Sequence, residues 1–307
     1  MLTSLKTHGY AVVPDVLDAA TCAKMQSGMW DHAEYISMGR LSRDDPSTWK
    51  SELQNTFLPN HGMLMQHHHW GHSQVVWDIR CDARVQEAYR HIHGPGRLTV
   101  SFDGVSFGLA PEITGIGWHH SNWLHLDKGW GTVKWKRNAI QSWVTAFDID
   151  EGDGTLQVLA GSHKFHKAFA RAFGHEQHKK NWYKLTEEEV QWYLGKGCRL
   201  VNITCKAGSQ VLWDSRTVHA GRAPLKGRSN VGRHRFVIYL CYSPRSWMTM
   251  VDKKKKRKAL EQGRMTSHWA HHPTLFPNKP WARGKTLRPT APFKPPVLTE
   301  EHKKIAY

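Results

Sequence analysis

The residues best placed to do chemistry lie in Trp123-Leu-His125-Leu-Asp127 and in Thr217-Val-His219. On an extended strand, side chains two apart share a face, so His125 and Asp127 project together into whatever the sheet encloses. An imidazole and a carboxylate placed in this way form two arms of a two-histidine, one-carboxylate face. That donor set holds non-haem Fe(II) and leaves coordination positions open. Taken alone, a His-x-Asp is more often a hydrogen-bonded surface pair. A second constellation strengthens it, since the strand pattern beginning at Gly208 ends in a turn and carries His219 near its close. Arg235 then opens the run Phe236-Val-Ile-Tyr-Leu-Cys241, whose other inward positions are apolar. A guanidinium facing into a barrel demands an anion, because burying it unpaired costs several kcal/mol in rough terms. A dicarboxylate would meet that demand through a bidentate salt bridge.

These side chains need a scaffold, and the second half of the chain reads as one. Leu98–Phe107, Ile140–Ile149, Cys198–Thr204, Gln210–Trp213 and Arg235–Tyr242 alternate and are rich in β-branched and aromatic residues. Turn signals separate them, among them Asp103-Gly104, Gly152-Asp-Gly154 and Ala207-Gly208. Short strands so spaced predict an antiparallel sandwich or barrel, interrupted by a helix near Thr186–Leu194. The first 97 residues supply helices instead. A strand running to Pro14 precedes a helix from Asp18, its cap, to about Glu34, and a second helix spans Ala83–Ile92, ended by Gly94-Pro-Gly96.

The chain has 307 residues, 39% hydrophobic and 11% aromatic, enough to bury a core. No stretch approaches the roughly 20 apolar residues of a membrane span, and Met1–Lys6 lacks the features of a secretion signal. An intracellular protein is therefore expected, cytoplasmic in the first instance, with the nucleus as the alternative. The five cysteines are scattered and form no C-x-x-C pair, so they read as reduced thiols. The net charge of +17 is uneven, because Lys253–Tyr307 holds 14 basic residues against 3 Glu, together with half of the 14 prolines. This segment is expected to be an extension, 253–307, basic, Pro-rich and packed partly on a domain formed by 1–252. Within it, Thr266-Ser-His-Trp269, Leu275-Phe276 and Trp281 need something apolar to pack against.

In order along the chain, His8-Gly-Tyr-Ala-Val-Val-Pro14, the His125/Asp127 pair, Gln141-Ser-Trp143 with Phe147-Asp148, Gly154-Thr-Leu-Gln-Val-Leu-Ala-Gly-Ser-His163, and His219 with its Arg form a set. Over roughly residues 8–245 this set resembles the phytanoyl-CoA dioxygenase-like branch of the Fe(II)/2-oxoglutarate-dependent oxygenases. The resemblance implies a mainly β member of the α+β class: a double-stranded β-helix (jelly-roll, cupin-like) core at 98–252, with N-terminal helices in 1–97 and flanking helices. It implies that His125, Asp127 and His219 ligate Fe(II), and that Arg235 binds the far carboxylate of 2-oxoglutarate, with Arg233 as the alternative on the same face. Gln141 is a weaker candidate for a hydrogen bond to the cosubstrate. Related halogenases carry a small residue where Asp127 stands, so the implied reaction is hydroxylation with O2, giving succinate and CO2.

The prime substrate is expected to be a small molecule. Two alternatives stand beside this reading: an oxygenase acting on nucleic acid or protein through its basic C-terminal part, and a cupin-like binder without catalysis. Lys253-Lys-Lys-Lys-Arg-Lys258 could contact nucleic acid or simply begin a solvated helix, since Ala259-Leu-Glu-Gln262 continues with good helix formers. His67, His68, His69 and His72 could hold a second metal, yet they lack cysteine partners and read better as structural or channel-lining. Trp118, Trp123 and Trp130 are candidates for an apolar substrate wall, and His119 and His120 for the mouth of the site. Arg216 could meet a substrate anion or pair with Asp214.

Overall fold

A computed structural model describes residues 1–118, 123–131, 137–282 and 284–307. The strands are, in chain order, β1 Tyr10–Val13, β2 Leu64–Met65, β3 Leu98–Val100, β4 Val105–Gly108, β5 His125–Leu126, β6 Ile140–Thr145 and β7 Thr155–Ala160. They continue with β8 Tyr183–Lys184, β9 Arg199–Asn202, β10 Gln210–Asp214, β11 His219–Arg222, β12 Arg235–Leu240 and β13 Tyr242–Pro244. Two antiparallel sheets carry the fold, one of six strands in the order β1-β10-β6-β12-β4-β2 and one of five in the order β8-β5-β11-β7-β9. The expected double-stranded β-helix with N-terminal and flanking helices is what forms.

The period of two explains which side chains meet. On the six-stranded sheet, Val144, Leu212, Phe236 and Ile238 turn outward into the cluster shared with the N-terminal helices. Their neighbours Trp143, Val211, Trp213 and Val237 turn inward, where they meet Leu156 and Val158 of the facing sheet. On the five-stranded sheet, Leu124, Leu126, Val218 and Ala220 point outward against Phe169 and Tyr193. The parity that sends these leucines out sends His125, Asp127 and His219 in.

The helix Ala19–Ile36 buries Cys22, Met25, Met29, Trp30, Ala33 and Ile36 along one face, and Asp18 caps it by accepting from the Thr21 amide at 2.7 Å. The inserted helix Glu187–Gly195 starts at a capping box of Thr186 and Glu189. One predicted strand is broken. Leu98–Phe107 splits into β3, which pairs with β13, and β4, which enters the large sheet. The break falls at Asp103-Gly104, where a Cβ on Gly104 would stand 2.1 Å from the Met65 carbonyl oxygen, so only glycine lets the chain pass.

The C-terminal segment packs on the first 252 residues. Ala259, Met265, Ile305 and Ala306 belong to the same buried cluster as the N-terminal helices. The lysine run lies in the helix Met250–Glu261, capped by Thr249 with Asp252. Its Lys256 is fully buried, with Nζ donating to Thr99 Oγ1 at 2.6 Å and to the Val100 carbonyl, above the Phe102 ring. The run thus opens a helix, but not the solvated one expected, since Lys256 faces the core. Residues 286–298 run without regular structure, as their prolines predict. All five cysteines are free, and among the described residues no helix is long and apolar enough to cross a membrane.

Candidate active site

His125 and His219 face each other directly across the β5–β11 pair, and Asp127 follows at the end of β5, its amide donating to the Ser215 carbonyl at 3.1 Å. All three are buried, and their ligand atoms lie within 4.8 Å of one another. Each imidazole is turned the same way. His125 Nδ1 donates to the Trp123 carbonyl at 3.0 Å and His219 Nδ1 to the Thr217 carbonyl at 2.9 Å. A carbonyl only accepts, so the proton of each neutral ring sits on Nδ1 and Nε2 presents a lone pair. Burial, reinforced by His219, lowers His125 to about 4, which keeps that ring neutral at physiological pH. The two Nε2 atoms stand 3.8 and 3.3 Å from Asp127 Oδ2. Three acceptors converging on one point repel one another unless a cation lies among them. Two imidazoles and a carboxylate, with both outer nitrogens fixed by backbone, are a fitting donor set for iron.

Arg235 points inward from the start of β12 and is 8% exposed. Its Nη1 reaches Tyr239 Oη at 3.4 Å and Met63 Sδ at 3.5 Å, its Nε has no partner, and no acid lies within ion-pair distance among the described residues. Gly108 and Gly154 flank its aliphatic stem, where a Cβ would come to 3.4 and 3.3 Å. A buried guanidinium left open in this way fits a carboxylate from outside the chain. Arg233 does not. It precedes β12 and, though it lines one pocket with Arg235, its guanidinium is taken by Asp150 at 2.6 Å and Asp153 at 3.1 Å. Gln141 lines the cavity over the three residues, and its amide donates to Asp127 Oδ2 at 2.8 Å and so orients the carboxylate.

A cavity of about 670 Å³ opens over the three residues. Trp123 and Trp213 line it, as does Tyr239, which sequence reading missed although it shares the parity of Arg235. Trp123 stacks on His61 and His125 and donates to the Gly221 carbonyl at 2.8 Å. Trp130 is turned away, bonded to the His166 carbonyl, and Trp118 does not line the cavity. His119 and His120 lie outside the described residues. One wall was unforeseen: Ser267, His268, Trp269, Thr274 and Phe276 come from the C-terminal segment, and His268 Nδ1 stands 4.0 Å from Asp127 Oδ2. The signal for this wall was the set of large apolar groups in that segment.

The other candidates resolve as structural. His67, His68 and His72 present Nε2, and His69 Nδ1, to the carbonyls of Phe57, Thr56, Arg264 and Gly263. Arg216 is engaged with Asp214 through two bonds of 2.9 and 2.7 Å.

The model of the family described as "Phytanoyl-CoA dioxygenase (PhyH)" matches residues 5–228. The chain belongs to the phytanoyl-CoA dioxygenase family. It is accordingly an Fe(II)- and 2-oxoglutarate-dependent oxygenase that uses O2. A curated relative, Ava biosynthesis cluster protein O of Aspergillus versicolor, is 27% identical over 235 residues, covering 74% of this chain and 72% of its own. Among solved structures, EctD from S. alaskensis with 2-oxoglutarate and 5-hydroxyectoine shares the fold, with a TM-score of 0.51 and 17% identity over 80% of this chain and 75% of that one. The same protein with bound Fe gives a TM-score of 0.50 at the same identity and coverage. In this family member the match ends before Arg235 and before the whole C-terminal wall.

Proposed function

We propose that this oxygenase hydroxylates a small molecule held in the cavity above His125, Asp127 and His219, and that these three residues hold its iron. Iron and 2-oxoglutarate, when bound, supply the oxidising chemistry, with O2 as oxidant and succinate and CO2 as coproducts. The observation that carries the assignment is the pair of imidazoles whose Nδ1 protons are held by the Trp123 and Thr217 carbonyls, so that both Nε2 lone pairs meet one oxygen of Asp127. Gln141 holds that carboxylate in place. Arg235, with Tyr239 beside it, receives the far carboxylate of the cosubstrate, a role supported by its burial and its lack of an acidic partner. Trp123, Trp213 and the C-terminal wall exclude water and shape the space left for the substrate.

Anaerobic addition of Fe(II) and 2-oxoglutarate should produce a weak visible charge-transfer band in the wild-type protein and none in Asp127→Ala. A screen for succinate release over metabolite panels then identifies the substrate, with His219→Ala as the blank. Substrate-stimulated succinate formation that persists in both variants would sink the assignment.

A further inference from the structure

The same cavity holds a second carboxylate with no task in that chemistry. Asp103 sits at the break between β3 and β4, where the chain turns so sharply that only Gly104 fits beside Met65. It is 8% exposed and lines the cavity with Asp127. One carboxylate oxygen accepts from the Gly104 amide at 2.8 Å. Among the described residues no Lys, Arg or His forms an ion pair with it. Arg80, the cation that bears on it electrostatically, spends its guanidinium elsewhere: Nη2 donates to the main-chain carbonyl of Asp103 at 3.0 Å and Nη1 to the carbonyl of Gly71. Burial raises the Asp103 carboxyl to about 6, and the nearby charge of Asp127 pushes the same way, so the free protein holds this anion at a cost.

The surroundings say what would relieve that cost. Trp123, Trp182, Trp269 and Phe276 line the same space, and the C-terminal wall is tied to the Asp103 turn by reciprocal bonds, Thr266 N to the Phe102 carbonyl and Phe102 N to Thr266 Oγ1, both 2.9 Å. Aromatic faces together with an unpaired carboxylate are the combination that binds a positively charged nitrogen, the faces through their quadrupoles and the carboxylate through a charge-assisted hydrogen bond. Lys179 and Lys180 also line the cavity, but both are exposed, whereas Asp103 is buried.

We infer that Asp103 receives a cationic nitrogen, a protonated amine or a guanidinium, on the prime substrate. This rests on reading the cavity as the substrate site, and it makes the enzyme's substrate an organic cation with an apolar or aromatic body. The first test titrates wild-type protein with phenethylamine, benzylguanidine and the neutral 2-phenylethanol, read by intrinsic tryptophan fluorescence. Both cations should bind about tenfold more tightly than the alcohol, and Asp103→Asn should reduce that preference to within about twofold. Asp127→Ala, which removes the other buried carboxylate of the cavity, should keep the full preference, so the test stands should Asp103→Asn misfold, and a preference lost in folded Asp127→Ala overturns the inference. Equal or tighter binding of the alcohol, no binding of the cations at millimolar concentration, or a full preference retained in folded Asp103→Asn overturns the inference. The fluorescence titration needs no iron. A normal charge-transfer band with no cation preference therefore refutes Asp103 alone, and loss of the band refutes the iron assignment alone.

Discussion

Two groups of histidines are buried in this protein, and they differ in what their second nitrogen sees. In the cluster His67, His68, His69 and His72, ring nitrogens are bonded to main-chain carbonyls and no carboxylate is among the partners. In the pair His125 and His219 the ring is also pinned to a carbonyl, but through Nδ1, and the freed Nε2 faces Asp127. Density of histidine in the sequence favours the first group. Convergence of lone pairs on one carboxylate oxygen singles out the second, and a metal site is a matter of convergence.

The sharpest way to break this contrast is to remove one converging group. Asp127→Ala or His219→Ala should abolish iron binding and succinate formation, while His68→Gln should retain a full equivalent of iron by metal analysis. Retained iron in the first pair, or lost iron in a folded His68→Gln, would dissolve the distinction. A smaller loss is expected at Arg235. Removing the one partner of a buried carboxylate costs several kcal/mol, so Arg235→Gln should weaken 2-oxoglutarate binding about a hundredfold, measured by titration of the visible band. Arg233→Gln, whose guanidinium serves Asp150 and Asp153, should leave that affinity within about threefold and lower the melting temperature instead. Smaller again is Gln141→Leu, which removes an outer hydrogen bond to Asp127 and should cost about tenfold in iron affinity.

Much of this was legible in the sequence because a strand has a period of two. Parity alone put His125 with Asp127 on one face and Leu124 with Leu126 on the other, and it aimed Arg235 inward. The Asp18 cap was legible too, since it acts on an amide three residues away. What escaped depends on partners far along the chain. Arg233 has the same parity as Arg235, and only Asp150 and Asp153, some 80 residues earlier, remove it from the site. Leu98–Phe107 reads as one strand, yet its alternation slips by one residue at Asp103-Gly104, and the strand splits there, where Phe102 pairs with Thr266, 164 residues later. The C-terminal wall escaped for a similar reason. A basic, Pro-rich segment reads as an appendage, and composition does not say that its helix returns to seat Lys256 on Thr99 and Val100. Trp269, Leu275 and Phe276 were the better guide, because burying them had to involve a surface already built, whereas Trp281, expected to pack as well, stays exposed.

The histidine contrast also has a consequence in pH. Burial lowers His32 to about 4 and both His68 and His72 to about 3, so these rings stay neutral in the folded state while the same residues in the unfolded chain titrate near 6.5. Between those values the unfolded state binds more protons, so stability rises with pH there and is lost as pH falls from about 6.5 toward 3. Each such ring costs about 2 kcal/mol by pH 5, from 1.36 kcal/mol per pKa unit. Urea unfolding of the metal-free protein should therefore show a midpoint falling steadily below pH 6.5. His72→Gln can keep the bond to the Arg264 carbonyl through its amide and carries no titrating ring, so its midpoint should fall less steeply over the same range. A pH dependence identical to that of the wild type would mean that His72 is not held neutral, and that the cluster owes its burial to something other than the carbonyls it meets.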